Sequence, residues 1–210
     1  MNETVRRLVA KYPDLAECAA SIEQAFQLMR ESFRQGGKLL VCGNGGSAAD
    51  SEHIVGELMK GFMLPRPIPD EDRERLSSMY GEEGAYMAER LQRALPAIAL
   101  TGSPALATAY QNDVAADLNF AQQVYGYGQK GDTLLAISTS GRSANVVHAL
   151  QVARMIGLGT IGLTGANGGR MNDLCDVTIR VPYESTPEIQ ERHLPIYHAL
   201  CIMLEHEFFG

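Results

Sequence analysis

The chain has 210 residues, 45% of them hydrophobic and 20% charged, enough for one α/β domain with a sizeable core. A net charge of −7 speaks against a basic nucleic-acid-binding face, although backbone N–H groups and hydroxyls can still hold a small anion. Four widely spaced cysteines, no leader-like N-terminus and no apolar run of the ~18–20 residues a bilayer needs make a cytoplasmic protein with free thiols and no membrane or nucleic-acid partner the expectation.

From Pro13 to Gln35 the residues Leu15, Ala19, Ile22, Phe26, Met29 and Phe33 recur every three or four positions. This spacing predicts a long amphipathic helix, ended by Gly36–Gly37. Residues 1–36 thus form an N-terminal helical segment, expected outside the sheet or against another subunit. Five apolar runs follow and read as buried strands: Lys38–Cys42, Ala97–Thr101, Thr133–Ser138, Thr160–Thr164 and Val177–Val181. Helical patterns at Ala48–Met59, Ala105–Asn112, Ala144–Ile156 and Arg170–Leu174 separate them, and a last helix runs from about Pro195 to Phe208. Alternation of this kind predicts right-handed crossovers and a three-layer, doubly wound, mainly parallel five-stranded sheet, flavodoxin-like, with an extra N-terminal helix. Residues 64–95 break the rhythm with a Pro-rich turn and a charged stretch. They read as a surface insertion of one or two short helices, either a solvated face or a lid or interface element, within a single domain spanning 1–210.

Ligands of an open parallel sheet bind beyond the carboxyl ends of its strands, near helix N-termini. Two loops occupy such places. In Gly43-Asn44-Gly45-Gly46-Ser47, glycines let a ligand approach the backbone and Ser47 can cap or donate, so Asn44, Gly45 and Ser47 are candidate contacts. Gly43, Gly45 and Ala48 also fit a dinucleotide G-x-G-x-x-A pattern, but no strand-end acid follows about 20 residues later, which argues against NAD or FAD. The second loop, Ser138-Thr139-Ser140-Gly141-Arg142-Ser143, places four hydroxyls within six residues at the start of a helix. One N-cap, Ser143, would explain one serine; four converging hydroxyls and a favourable dipole point to a phosphate.

Together, CGNGGSAADSEH, AISTSGRSAN and IQERHLPIYH resemble the phosphoheptose isomerase family, enzymes built on a sugar isomerase (SIS) domain. The motifs carry the likeness from about Gly36 onward, with 64–95 largely outside it. The resemblance implies a metal-dependent aldose–ketose isomerase that interconverts sedoheptulose 7-phosphate and D-glycero-D-manno-heptose 7-phosphate through an enediol(ate). It implies that Ser138, Thr139, Ser140 and Ser143 hold the phosphate. Asn44, Gly45, Ser47, the pair Asn112 and Asp113, and Gln190 would touch the sugar. His53, Glu57, Gln190 and His198 would hold a divalent metal, usually zinc, with Glu57 and His198 also moving protons. It further implies a homotetramer with sites at subunit interfaces.

Two departures leave the sugar open: LMKGF follows Glu57 where an Arg is often found, and STPE, without the usual Asp, precedes Gln190. The alternative is a non-catalytic SIS module, either a sugar-phosphate binder or a replication-initiator-associating protein; the latter resembles the chain in the loops but not in the Glu and last His, both of which this chain keeps.

The residues themselves say less. His53 and Glu57, four apart on one helix, share a face and suit either two ligands of one metal or a base and its partner. Gln190 and His198, eight apart, share a side only if one helix carries both, and Pro195 predicts that the helix starts or kinks there, leaving Gln190 on the entry segment. His198 could equally be a core histidine. A neutral amide among the ligands fits zinc without requiring it.

Overall fold

The computed structural model describes all 210 residues. Five strands, β1 (Leu39–Gly43), β2 (Ala97–Ala99), β3 (Thr133–Ile137), β4 (Gly159–Thr164) and β5 (Val177–Arg180), form one all-parallel sheet in the order β2-β1-β3-β4-β5. Each falls within one or two residues of its predicted run. The two faces of the sheet divide by the two-residue period of a strand. Leu39, Val41, Leu135, Ile137, Ile161, Leu163 and Ile179 enter one core, and Leu40, Cys42, Leu134 and Ala136 the other.

The first core is covered by α1 (Glu3–Lys11), α2 (Ala19–Arg34), α3 (Gly46–Met59) and α9 (Thr186–Phe209). The helix expected from Pro13 to Gln35 is instead a 3-10 segment, Pro13–Cys18, followed by α2, because Pro13 opens the segment in a tight turn. Rather than standing off, α2 buries Ile22, Phe26 and Met29 in that core, and Leu28 packs on Gly159 of β4. The second core is covered by α6 (Asn119–Tyr127), α7 (Ala144–Ile156) and α8 (Met171–Leu174). Helix α1 falls within the expected helical segment 1–36 but ahead of the helix predicted there, and α6 has no counterpart in the sequence reading. Helix α5 (Pro104–Asp113) buries none of its residues. All four cysteines are unpaired, and no helix is long and apolar enough to cross a membrane.

The 64–95 insertion has the form the sequence suggests, and the last helix departs from it. The insertion folds as an arm, α4 (Asp70–Arg90), bent back on itself at Gly81 (φ 59°, ψ −128°), where a side chain would be strained. An antiparallel bridge between Pro67 and Gln92, with the Arg93 N–H donating to the Arg66 carbonyl at 2.7 Å, closes its base. The last helix begins at Thr186, nine residues before Pro195, and carries Gln190 and His198 together. Pro187 in its first turn favours that start. Ile189, His193, Ile196, Leu200 and Leu204 bury one continuous stripe across Pro195. At about 1.5–3 kcal/mol per buried side chain, that stripe outweighs the one hydrogen bond the proline forfeits.

His193 in this stripe is wholly buried, and neither ring nitrogen makes a well-formed hydrogen bond, the backbone of Thr164 offering only a weak contact. Burial pushes its imidazole down to about 4 from an ordinary 6.5. The unfolded chain therefore takes up a proton there before the folded one does. Stability should fall as pH drops below about 6.5 and level off below about 4, a loss of about 3 kcal/mol. Urea unfolding over this range should show a flatter pH dependence for His193→Leu than for the native chain; parallel curves would contradict it.

Candidate active site

The chain leaves β1 toward β2 on one side and returns to β3 on the other, so a crevice opens between the carboxyl ends of β1 and β3. Gly43 pairs with Ile137 in register, and the two candidate loops start side by side there. Gly45 adopts φ 57°, ψ −121°, a conformation open in practice only to glycine, and this turns the chain into α3. Ser47 is buried in the first helical turn.

In the second loop, Ser143 occupies the N-cap of α7 but its hydroxyl makes no cap; it pairs with the Ser138 hydroxyl at 3.1 Å. The backbone N–H groups of Thr139, Ser140, Ser143 and Ala144 donate to no atom of the chain. Donors, hydroxyls and the positive end of α7 thus converge as an oxyanion site requires. A recess of about 250 Å³ lies beside the loop, lined by Thr139, Ser140, Arg142 and Asn167. The two loops are tied together by a reciprocal amide pair, Asn44 and Asn145 exchanging two hydrogen bonds of 2.9 Å. Asn145 was not singled out in the sequence, since nothing in a lone Asn at a helix start announces a cross-loop partner.

Helices α3 and α9 bring the titratable groups together. His53 Nε2 lies 3.2 Å from Glu57 Oε1, and the His53 and His198 rings are 5.1 Å apart, nearly perpendicular. Phe62 packs on the His198 ring at 5.4 Å. Lys60 Nζ donates to the other Glu57 oxygen at 3.2 Å. His198 Nε2 is buried without a partner, and burial, aided by the neighbouring His53 and opposed by Glu57, holds the imidazole below its ordinary value. A cavity of about 530 Å³ between α1 and α9 has His198 in its wall. Behind His53, the Tyr197 hydroxyl lies 3.0 Å from Nδ1 and 3.2 Å from Asp50 Oδ1.

The SIS-domain family description matches residues 3–73 and 77–165. The chain is 42% identical over 191 residues to the phosphoheptose isomerase of Rhodospirillum rubrum, covering 91% of this chain and 88% of that one. It is 35% identical to the phosphoheptose isomerase of Akkermansia muciniphila over the whole of both chains. The solved structure of a phosphoheptose isomerase from Francisella tularensis, 34% identical, superposes with a TM-score of 0.77, covering 94% of this chain and 91% of that one. The chain belongs to the phosphoheptose isomerase family.

As a phosphoheptose isomerase family member it is an aldose–ketose isomerase, which sets aside the non-catalytic alternative. The family match is also wider than the motifs indicated, taking in the N-terminal helices and most of the 64–95 arm.

Not every expected site residue joins the cluster. Gln190 lies against the glycine loop, its Nε2 2.5 Å from where a Cβ on Gly46 would stand. That is eight residues, or ~12 Å of helix axis, before His198. Asn112 and Asp113 are exposed at the end of α5 and hydrogen-bond only each other, at 2.8 Å.

No three His, Cys, Asp or Glu side chains of the chain already converge on one point. The donors nevertheless fit a divalent metal. His198 offers an orphaned buried nitrogen, and His53 Nε2 and Glu57 Oε1 face each other across a gap that needs a proton or a cation.

Proposed function

We propose that this isomerase interconverts sedoheptulose 7-phosphate and D-glycero-D-manno-heptose 7-phosphate by proton transfer through an enediol(ate), with metal assistance. One observation supports it above all: Glu57, His53 and His198 cluster on α3 and α9 while α3 itself begins in the loop that Asn44 ties to the hydroxyl loop.

In this reading Ser138, Thr139, Ser140 and Ser143 grip the phosphate with the free N–H groups of their loop. Asn44, Gly45 and Ser47 line the sugar, and Gln190 reaches it from α9. Asn112 and Asp113 complete the contacts. Glu57 carries the proton between the two adjacent carbons, and His198, partly desolvated, exchanges the proton on oxygen. His53, Glu57 and His198 would hold zinc, while Gln190 stands apart from them at the glycine loop. Zinc, when bound, would polarise the sugar carbonyl and stabilise charge developing on it. The enzyme works in the cytoplasm as a homotetramer with sites at subunit interfaces. The open cavity beside His198 and α5, which buries none of its residues, are surfaces that neighbouring subunits would complete.

A second reading keeps the chemistry but changes the sugar. Where an Arg is often found after Glu57, the chain has Lys60–Gly61, and Lys60 is already engaged with Glu57.

A panel of pentose, hexose and heptose phosphates, assayed in deuterated water with and without zinc, separates these. The heptose 7-phosphate should turn over fastest, incorporate deuterium and lose activity on chelation. A faster pentose or hexose would support the second reading, no deuterium in any sugar would reject the proton-transfer mechanism, and chelator-resistant turnover would reject the metal.

A further inference from the structure

We infer that Asp50 and Tyr197 are positioning residues that fix the tautomer of His53, and through it the direction of the lone pair that faces Glu57. The inference rests on the proposed roles of His53 and Glu57, but its geometry is independent of which sugar is used.

The Tyr197 ring is buried, 1% exposed, and packs edge-on against both histidines in a three-ring cluster, with centroids 5.5 Å from His53 and 5.1 Å from His198. Its hydroxyl has two neighbours, Asp50 Oδ1 at 3.2 Å and His53 Nδ1 at 3.0 Å. It has a single proton to give. A carboxylate can only accept, so the hydroxyl donates to Asp50 and accepts from His53. In the neutral ring Nδ1 therefore carries the proton, and Nε2, 3.2 Å from Glu57 Oε1, is left with the lone pair that a cation held between the two would use. Asp50 and His53 lie three residues apart on α3, so the helix presents both on one side, and Tyr197 crosses to them from α9. A histidine whose second nitrogen donates to such an outer partner is held in one tautomer and one orientation, and loss of an outer partner of this kind typically costs ~10–100-fold in metal affinity or activity. Without the hydroxyl, Nδ1–H loses its hydrogen-bond partner, and the proton can move to Nε2, where Glu57 would accept it and the lone pair would be lost.

Tyr197→Phe removes one oxygen and keeps the buried ring; Asp50→Ala removes the acceptor, since an asparagine there would keep a carbonyl oxygen for the hydroxyl. The measurement is the ¹⁵N chemical shifts of the His53 ring in metal-free protein, assigned against His53→Gln. It is made at about pH 8.5, roughly two units above the ordinary imidazole value. The native chain should show the Nδ1–H form, and both variants a shift toward Nε2–H. In parallel, cobalt affinity should fall ~10–100-fold and kcat fall with it, while KM for the sugar phosphate, set at the loops, stays within about threefold. A native Nε2–H tautomer, or variants with an unchanged tautomer, overturns the inference. A native enzyme that shows the Nδ1–H form but turns over no sugar phosphate would sink the proposed function and leave the relay standing.

Discussion

Glu57→Gln is expected to lower isomerase turnover by about three orders of magnitude while leaving the fold intact. Glutamine matches the carboxylate in shape. Its amide can still donate to the His53 lone pair, so the neighbourhood on α3 and α9 should survive. What disappears is the base. An aldose–ketose exchange needs a group that removes a carbon-bound proton and returns it one carbon away, and a positioned base contributes about 10²–10⁴-fold. The side chain is only 13% exposed, so water cannot readily take its place. Deuterium incorporation from solvent should fall in step with kcat, whereas KM, governed by the two loops, should move little. His198→Ala should lose a similar factor by a different route, through the proton on oxygen. Turnover within about threefold of native in either variant would remove the assigned acid–base pair.

The largest stability loss is expected at a residue with no part in the chemistry. Arg66 and Glu205 are both fully buried and pair at 2.8 Å. Arg66 also donates to the carbonyls of Leu58 and Glu57 at 2.8 and 3.1 Å, satisfying the last turn of α3. Glu205 accepts from the N–H groups of Phe62, Met63 and Leu64. Although burial works against its charge, those N–H groups and Arg66 hold its carboxyl below the usual range. Arg66→Met leaves that carboxylate buried without a cation, a situation that costs about 3–5 kcal/mol. For a chain of this size the melting temperature should fall by roughly 10 °C. Arg66→Met combined with Glu205→Leu should recover part of the loss, because no unpaired charge then remains. A single variant melting within about 2 °C of native would show that the pair contributes little.

The strands were legible because each is a short, mostly apolar run flanked by small polar loops, as a sheet buried on both faces requires, with a charge only on the edge strand β5 at Arg180. Two helices escaped for opposite reasons. In α1 only Val5 and Leu8 are buried, too few for a visible period. In α6 the buried face includes Asn119 and Gln123, with Gln123 donating to the Leu100 carbonyl and to Asn119, so polar residues occupy places where periodicity looks for apolar ones. Pro195 misled about α9 because one forbidden hydrogen bond is visible in sequence and a stripe of distant packing partners is not. At the site, the hydroxyl loop and the His53–Glu57 spacing were readable from local chemistry. Asp50, Tyr197 and Asn145 were not, since their roles exist only when α3 meets α9 and one loop meets the other.

The bridged base of the arm has a further meaning for how this chain could have diversified. Beyond Pro67 and Gln92 the polypeptide buries only Gly84 and Ala88 and rejoins the domain at a fixed doorway beside Arg66. The sheet senses the doorway, not what lies outside it, and the entropy of closing a flexible loop grows only slowly with its length. Segments of very different size could be grafted or pruned there while the catalytic scaffold keeps its boundary conditions, so this doorway is where lineages can vary length at least cost.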